Sequence, residues 1–155
     1  MRLMVLAAVA AATMGLMLSS VSQAGGDLSA TANQKFLATN AAKPGVTVRP
    51  SGLQYRVIKS GHGRTPGPAD TVQVYYRGTL IDGELFDKTE APQKPAEFQP
   101  DGVIPGWTEA LLMMKEGDEW ELVIPSNLAY GERGAGAVVP PNQTLVFDVT
   151  LLKVK

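Results

Sequence analysis

An α+β fold, with an antiparallel sheet wrapped over one short helix, is predicted by three features of this sequence. Four segments alternate apolar and polar residues with period two, the mark of antiparallel strands with one wet face. One apolar helical stripe, Trp107, Leu111 and Met114, lies in a segment of about Pro105 to Met114. The chain has no cysteine, so disulfides and thiol chemistry are excluded and stability must come from a packed core.

Taken in order, the first 24 residues read as a secretory leader: Arg2 gives a positive start, Leu3 to Leu18 is uncharged and apolar, and Ser22-Gln23-Ala24 supplies the small residues of a cleavage site. A membrane span needs about 20 apolar residues, and this run stops short of that at Ser19 and Ser20. Cleavage after Ala24 is therefore expected, giving an exported, periplasmic chain with no membrane span after processing. Asp27 to Asn40 carries Ala32, Phe36 and Leu37 at helical spacing, with Asp27 or Ser29 as a cap and Lys43-Pro44-Gly45 as its end. Residues 25–50 are read as a solvent-facing helical arm and linker. They lead into a single domain over 51–155, about the size one core supports.

The first strand sets Leu53, Tyr55 and Val57 against Gln54 and Arg56. In the second, over Thr71 to Leu80, Val72, Val74 and Tyr76 share one face, opposite Gln73, Tyr75 and Arg77. Asp82-Gly83 follows as a turn dipeptide. Pro105 suits a first helical turn, and Gly117 lies beyond the helix end as a stop. The third strand alternates Trp120, Leu122 and Ile124 with Glu119, Glu121 and Val123. The fourth sets Leu145, Phe147, Val149 and Leu151 against Val146, Asp148, Thr150 and Leu152.

The most informative segment is Asn127 to Phe147, NLAYGERGAGAVVPPNQTLVF. It combines a tyrosine, three glycines (Gly131, Gly134, Gly136) and a valine pair that Pro140-Pro141 holds extended. A mobile, glycine-hinged loop with apolar residues at its tip is expected to overhang a ligand. Tyr76, Phe86, Trp107 and Phe147 come from four separate elements and can converge between sheet and helix, as the wall and floor of a shallow aromatic cup. Filling the core is the plain alternative for each ring taken singly.

Other chemistries are excluded on the residues. The net charge is −1 with acids and bases interspersed, so no nucleic-acid stripe or polybasic membrane patch exists. His62 is the only histidine and lies in a Gly-rich turn, which rules out a Ser/His/Asp triad and leaves too few ligands for a metal. Asp82, Glu84, Asp87 and Glu90 are close in sequence, but Asp82 forms a turn and no second carboxylate cluster faces them, as glycoside hydrolysis requires. Gly131-x-x-Gly134-x-Gly136 lacks the Lys-Ser/Thr of a phosphate loop.

Five runs, SGLQY (51–55), YYRGTLIDGELFD (75–87), GVIPGWTEAL (102–111), IPSNLAYGERGAG (124–136) and PPNQTLVFDVTLL (140–152), carry a resemblance. In their order and spacing, over about two thirds of the chain, the sequence resembles the FKBP-type peptidyl-prolyl cis–trans isomerases, above all the bacterial exported branch of macrophage infectivity potentiators. The resemblance implies an antiparallel half-barrel of about five strands around the short helix, with a proline site between them. It places Tyr76, Phe86, Asp87, Val103, Ile104, Trp107, Tyr130, Val139 and Phe147 on pocket positions and Val138 on the adjoining loop. Trp107 is implied as the floor under the prolyl ring, Tyr76, Phe86, Val103 and Phe147 as walls, and Asp87 and Tyr130 as the catalytic polar groups. The N–H of Ile104 and the Tyr130 hydroxyl are implied to hold the peptide's carbonyls. Proline-containing polypeptides are the implied partners, and no cofactor, metal or covalent intermediate is required.

The sequence also departs from the family. Pro92 stands where many members carry an arginine paired with the pocket aspartate, Ala96 replaces an aromatic residue, and Ala135 replaces a histidine. A more open rim is expected, with binding of tacrolimus or rapamycin weaker than in the tightest members. A monomer is expected, since the long dimerising helix of infectivity potentiators is not seen before Pro50. The competing readings are an FKBP-fold binding or chaperone module with little isomerase activity, and a structural β-domain.

Overall fold

The computed structural model describes residues 26–155, and the expected leader and its cleavage point lie outside the described residues. Helix α1 spans Ala30–Ala41, with Ser29 as the N-cap whose hydroxyl accepts from the Ala32 N–H. Strands β1 (Val46–Val48), β2 (Gln54–Lys59), β3 (Val72–Thr79), β4 (Leu85–Thr89) and β5 (Ala96–Phe98) precede helix α2 (Pro105–Leu111); β6 (Glu119–Ile124) and β7 (Leu145–Val154) follow it. All pairings are antiparallel, in the order β1-β2-β6-β7-β3-β4, with β5 beside β4 on the outer edge of β3. The four expected strands are β2, β3, β6 and β7. The sheet has seven strands rather than about five, because β1 and β5 are three residues each and β4 directly follows the turn.

Register explains what the inner face carries. Tyr55, Leu122, Phe147, Gly78 and Asp87 are successive partners in one row across five strands. The next row holds Val57, Trp120, Val149, Tyr76 and Thr89. Cross-strand partners point to the same side, so both rows face α2. That helix lies close to the sheet because Gly106 has no side chain; a Cβ there would stand 2.5 Å from Ile124 Cγ2. Leu53, Val72, Val74, Leu111, Met114 and Leu145 complete the core between the two layers.

Helix α1 is not the solvent-facing arm that its apolar residues suggested. Phe36 and Leu37 are only half-buried, whereas Asn33 and Asn40 are buried. Asn40 Nδ2 donates to Gln54 Oε1 at 2.8 Å, and Gln54 Nε2 returns a bond to the Leu37 carbonyl at 3.0 Å. Gln54 points to the sheet's outer face, and its partner there, Val123, is 1% exposed. The helix thus lies across the outer face at the start of β2. It is docked by side-chain amides, which a search for apolar periodicity does not register.

Candidate functional site

The inner face of β3 and β7, capped by the start of α2, gathers aromatic rings from five elements. Trp107 is wholly buried, and three rings meet its indole edge to face: Tyr76 at 5.2 Å, Phe147 at 5.4 Å and Phe98 at 5.7 Å between centroids. Phe86 packs edge-on against Phe147 at 5.5 Å. Val103 and Ile104, both buried, form the approach to α2. The N–H of Ile104 has no hydrogen-bond partner among the described residues.

Two consecutive residues of β4, Phe86 and Asp87, are each 5% exposed. Simple alternation sends one of them outward. A register shift between Gly78 and Thr79, which pair with Asp87 and Leu85, leaves Phe86 as the extra residue of a bulge and turns both side chains inward. Both residues therefore line the wall, as expected for Phe86. Gly78 makes room for them. A Cβ on it would stand 2.6 Å from Phe147 Cε2 and 2.9 Å from Phe86 Cζ.

The loop above the rings is pinned rather than loosened. Ala135 and Val139 exchange backbone hydrogen bonds of 2.8 and 3.2 Å, and the Asn142 N–H donates to the Gly131 carbonyl at 2.8 Å. Gly134, at φ 69°, sits in a conformation that L side chains rarely adopt, and a Cβ there would meet the Val139 carbonyl oxygen at 2.5 Å. The glycines permit a tight fold-back. Val139 is buried and Val138 half-buried against the core. Ala135, expected on an open rim, is 5% exposed beneath the fold-back. Ala96 is half-buried and faces inward with Phe98, so only this position keeps the rim reading.

Polar atoms inside the site are few. The Tyr76 hydroxyl donates to Asp87 Oδ2 at 2.9 Å. None of the ion pairs of the described residues reaches Asp87. Tyr130 Oη and Trp107 Nε1 are buried with no hydrogen-bond partner among the described residues. Burial pushes the Tyr130 phenol up, with the Asp87 charge adding to it, and the same two causes raise Tyr76. Both stay protonated donors. A concavity of about 230 Å³ lies on the outer face, lined by Tyr75, Tyr76, Arg77, Glu90, Glu119, Asp148 and Thr150. Its charged walls do not suit an apolar ring.

Burial also pushes the Asp87 carboxyl up from 3.8 to about 6, although the Tyr76 hydroxyl and the Lys88 N–H draw it down. The folded protein thus holds this proton more tightly than the unfolded chain. The group costs nothing below the unfolded value, and stability falls as pH rises from about 4 through about 6. Asp87→Asn removes the buried charge and keeps an acceptor for Tyr76. It is expected to be more stable than the parent by about 1–2 kcal/mol at pH 7.5, with the gap closing below pH 4. Urea midpoints at the two pH values check this; a gap that widens in acid contradicts the burial argument.

Of the sequence-expected residues, Tyr76, Phe86, Asp87, Trp107 and Phe147 are in mutual contact, Tyr130 lies near Asp87, and Val103, Ile104, Val138 and Val139 belong to or pack on the same core. Phe98 and Gly78 were missed. Phe98 sits in a strand too short for its alternation to show, and nothing local marks Gly78.

The profile described as FKBP-type peptidyl-prolyl cis-trans isomerase matches residues 62–152, and that of the domain amino terminal to it matches residues 6–57. An outer membrane protein MIP of Legionella longbeachae is 55% identical over 120 residues, 77% of this chain and 52% of that protein. A 22 kDa FKBP-type peptidyl-prolyl cis-trans isomerase of Escherichia coli is 57% identical over 120 residues, 77% of this chain and 58% of that protein. The chain spans about half the length of these curated relatives. Among solved structures, FkpA of Escherichia coli superposes with a TM-score of 0.77 at 41% identity, covering 97% of this chain and 70% of that one. A peptidyl-prolyl cis-trans isomerase of Pseudomonas syringae pathovar tomato gives 0.76 at 39% identity, covering 84% and 99%.

Proposed function

The chain belongs to the family of FKBP-type peptidyl-prolyl cis–trans isomerases, and from that premise we propose that it accelerates rotation about X-Pro bonds in exported polypeptides. The observation that carries the reading is the fully buried Trp107, ringed edge-on by Tyr76, Phe98 and Phe147, with a buried, unpaired Tyr130 hydroxyl near Asp87. Amide conjugation sets a rotation barrier of about 18–20 kcal/mol, and the two X-Pro isomers differ by only about 0.5–1 kcal/mol. The reaction therefore needs a lower barrier and no driving force. In the twisted transition state conjugation is lost and the carbonyl dipole shrinks, so a dry aromatic cup favours it over the planar, better-hydrated ground state.

In this proposal Trp107 is the floor beneath the prolyl ring, and Tyr76, Phe86, Val103 and Phe147 are walls. Val138 and Val139 close the side. The Ile104 N–H and the Tyr130 hydroxyl take the carbonyls that flank the bond. Asp87 holds the Tyr76 hydroxyl in place and polarises the cup. The pipecolyl rings of tacrolimus and rapamycin resemble proline and are proposed to enter the same cup. Export, with cleavage after Ala24, is proposed from the leader-like first residues, and no helix among the described residues is long and apolar enough to cross a membrane. A monomer is proposed because the buried amides of α1 are satisfied within the chain; a dimer in sedimentation at micromolar concentration overturns it.

The deciding experiment is turnover of proline peptides by the purified protein and by Tyr130→Phe. The parent should isomerise them. In Tyr130→Phe, kcat/KM should fall roughly three- to tenfold, while stability rises by about 1 kcal/mol because an unpaired buried hydroxyl is gone. Saturable peptide quenching of tryptophan fluorescence without turnover assigns the cup to binding alone.

A further inference from the structure

Buried polar side chains are concentrated where α1 meets the sheet. Asn33, Asn40, Gln54, Gln143 and Thr144 are all buried there, and among the described residues only Asp87 and Asp118 are buried polar groups elsewhere. Two separate joints make up the junction. Asn40 with Gln54 ties the end of the helix to the start of β2. Asn33 with Gln143 and Thr144 ties its first turn to the segment that returns from the loop over the cup.

Both side-chain amides of that second joint are fully used. Asn33, 4% exposed, donates through Nδ2 to the carbonyls of Leu28 and Ser29 at 3.2 and 2.9 Å and to Gln143 Oε1 at 3.2 Å. Its Oδ1 accepts the Thr144 N–H at 2.8 Å. Gln143 Nε2 donates to the Leu28 carbonyl at 3.0 Å and to the Pro141 carbonyl at 3.2 Å. Between Pro141 and Gln143, Asn142 adopts φ 62°, a left-handed conformation uncommon outside glycine but open to asparagine. Its N–H is the one that closes the loop onto Gly131, next to Tyr130. Hydrogen bonds at both ends of the Pro141 to Thr144 backbone therefore link α1 to Gly131, the neighbour of Tyr130.

We propose that Asn33 and Gln143 are positioning residues for the proline cup: through them α1 holds the return limb of the loop and so sets where Tyr130 and Val139 stand. The proposal rests on the cup being the prolyl site. It touches no reacting atom itself and acts on binding. The Asn40 joint, equally buried but remote from the loop, has no such effect.

The test compares Asn33→Ala with Asn40→Ala in the full chain. Both lose buried amide bonds, so both lose stability. Only Asn33→Ala should raise KM for a proline peptide, roughly three- to tenfold with kcat within about twofold, as expected when binding contacts loosen. Only Asn33→Ala should speed amide exchange at Ala135 and Val139, by about tenfold relative to core amides of β7 in the same sample. An unchanged KM in Asn33→Ala, or equal changes in the two variants, overturns the proposal. Gln143→Ala cuts the same joint from the other side and replaces Asn33→Ala should that variant not fold. A parent without turnover overturns the isomerase reading instead, and the exchange comparison still decides whether α1 holds the loop.

Discussion

Trp107→Ala is expected to abolish most of the turnover of proline peptides and to cost about 3–5 kcal/mol of stability, the range for deleting a fully buried large aromatic side chain. The indole is wholly buried and in edge contact with Tyr76, Phe98 and Phe147, so its removal leaves three rings facing a void they cannot jointly fill. Domains of this size carry only about 5–15 kcal/mol in total. The variant should fold in the cold with a much lower urea midpoint, and turnover should drop at least roughly a hundredfold, since the surface under the prolyl ring is gone. Trp107→Phe separates the two losses: it keeps a ring and most of the packing, and should retain a tenth or more of the activity by order of magnitude. A folded Trp107→Ala protein with near-parental turnover would falsify the assignment of the floor.

Gly78→Ala should destabilise by about 1–3 kcal/mol, although alanine in place of a strand glycine ordinarily gains about 0.5–1 kcal/mol through backbone entropy. The sign reverses because of what lies above the position. The added Cβ would stand 2.6 Å from Phe147 Cε2 and 2.9 Å from Phe86 Cζ. Neither ring can give way cheaply: Phe147 is wholly buried and wedged against Trp107 and Phe86. A one-carbon change on the back wall thus pushes two wall rings into the cup. Turnover should fall about tenfold or more even where the protein remains folded. Thermal unfolding and peptide kinetics on the same sample check both effects, and a neutral or stabilising Gly78→Ala contradicts the packing described for the row from Phe147 to Asp87.

Long, strongly periodic elements are legible in the sequence. The alternation in β2, β3, β6 and β7 set the face of each side chain, and the stripe of Trp107, Leu111 and Met114 set the buried side of α2 and of the turn that follows it, where the helix stops at Leu111 short of the expected Met114. Period-two and helical patterns are local consequences of burying one face, so they are written in the chain wherever an element runs for more than about one period. Parity put Tyr76 and Phe147 on inward faces and helical spacing did the same for Trp107, which allowed their convergence without requiring it, and five runs of sequence pointed to the family.

Other features were decided only by register between distant strands. Phe86 and Asp87 both face inward because a bulge skips one residue opposite Gly78, and a bulge leaves no mark in hydrophobic alternation. Phe98 joins the ring cluster from a three-residue strand, too short to display a period. Gly78 is required by rings on β4 and β7, and the latter lies far along the chain. Ala135 and the glycines of the loop fold back under Val139, so a segment that composition marks as loose is pinned by its own backbone. Helix α1 docks through Asn33 and Asn40, reversing the expectation drawn from its apolar residues. The sequence by itself determined which faces are apolar and which rings share them, because that information is carried by near neighbours. Which residue stands opposite which, and therefore where a missing side chain or a buried amide is essential, was decided by the tertiary structure, because steric exclusion and hydrogen-bond satisfaction act between groups that only the fold brings together.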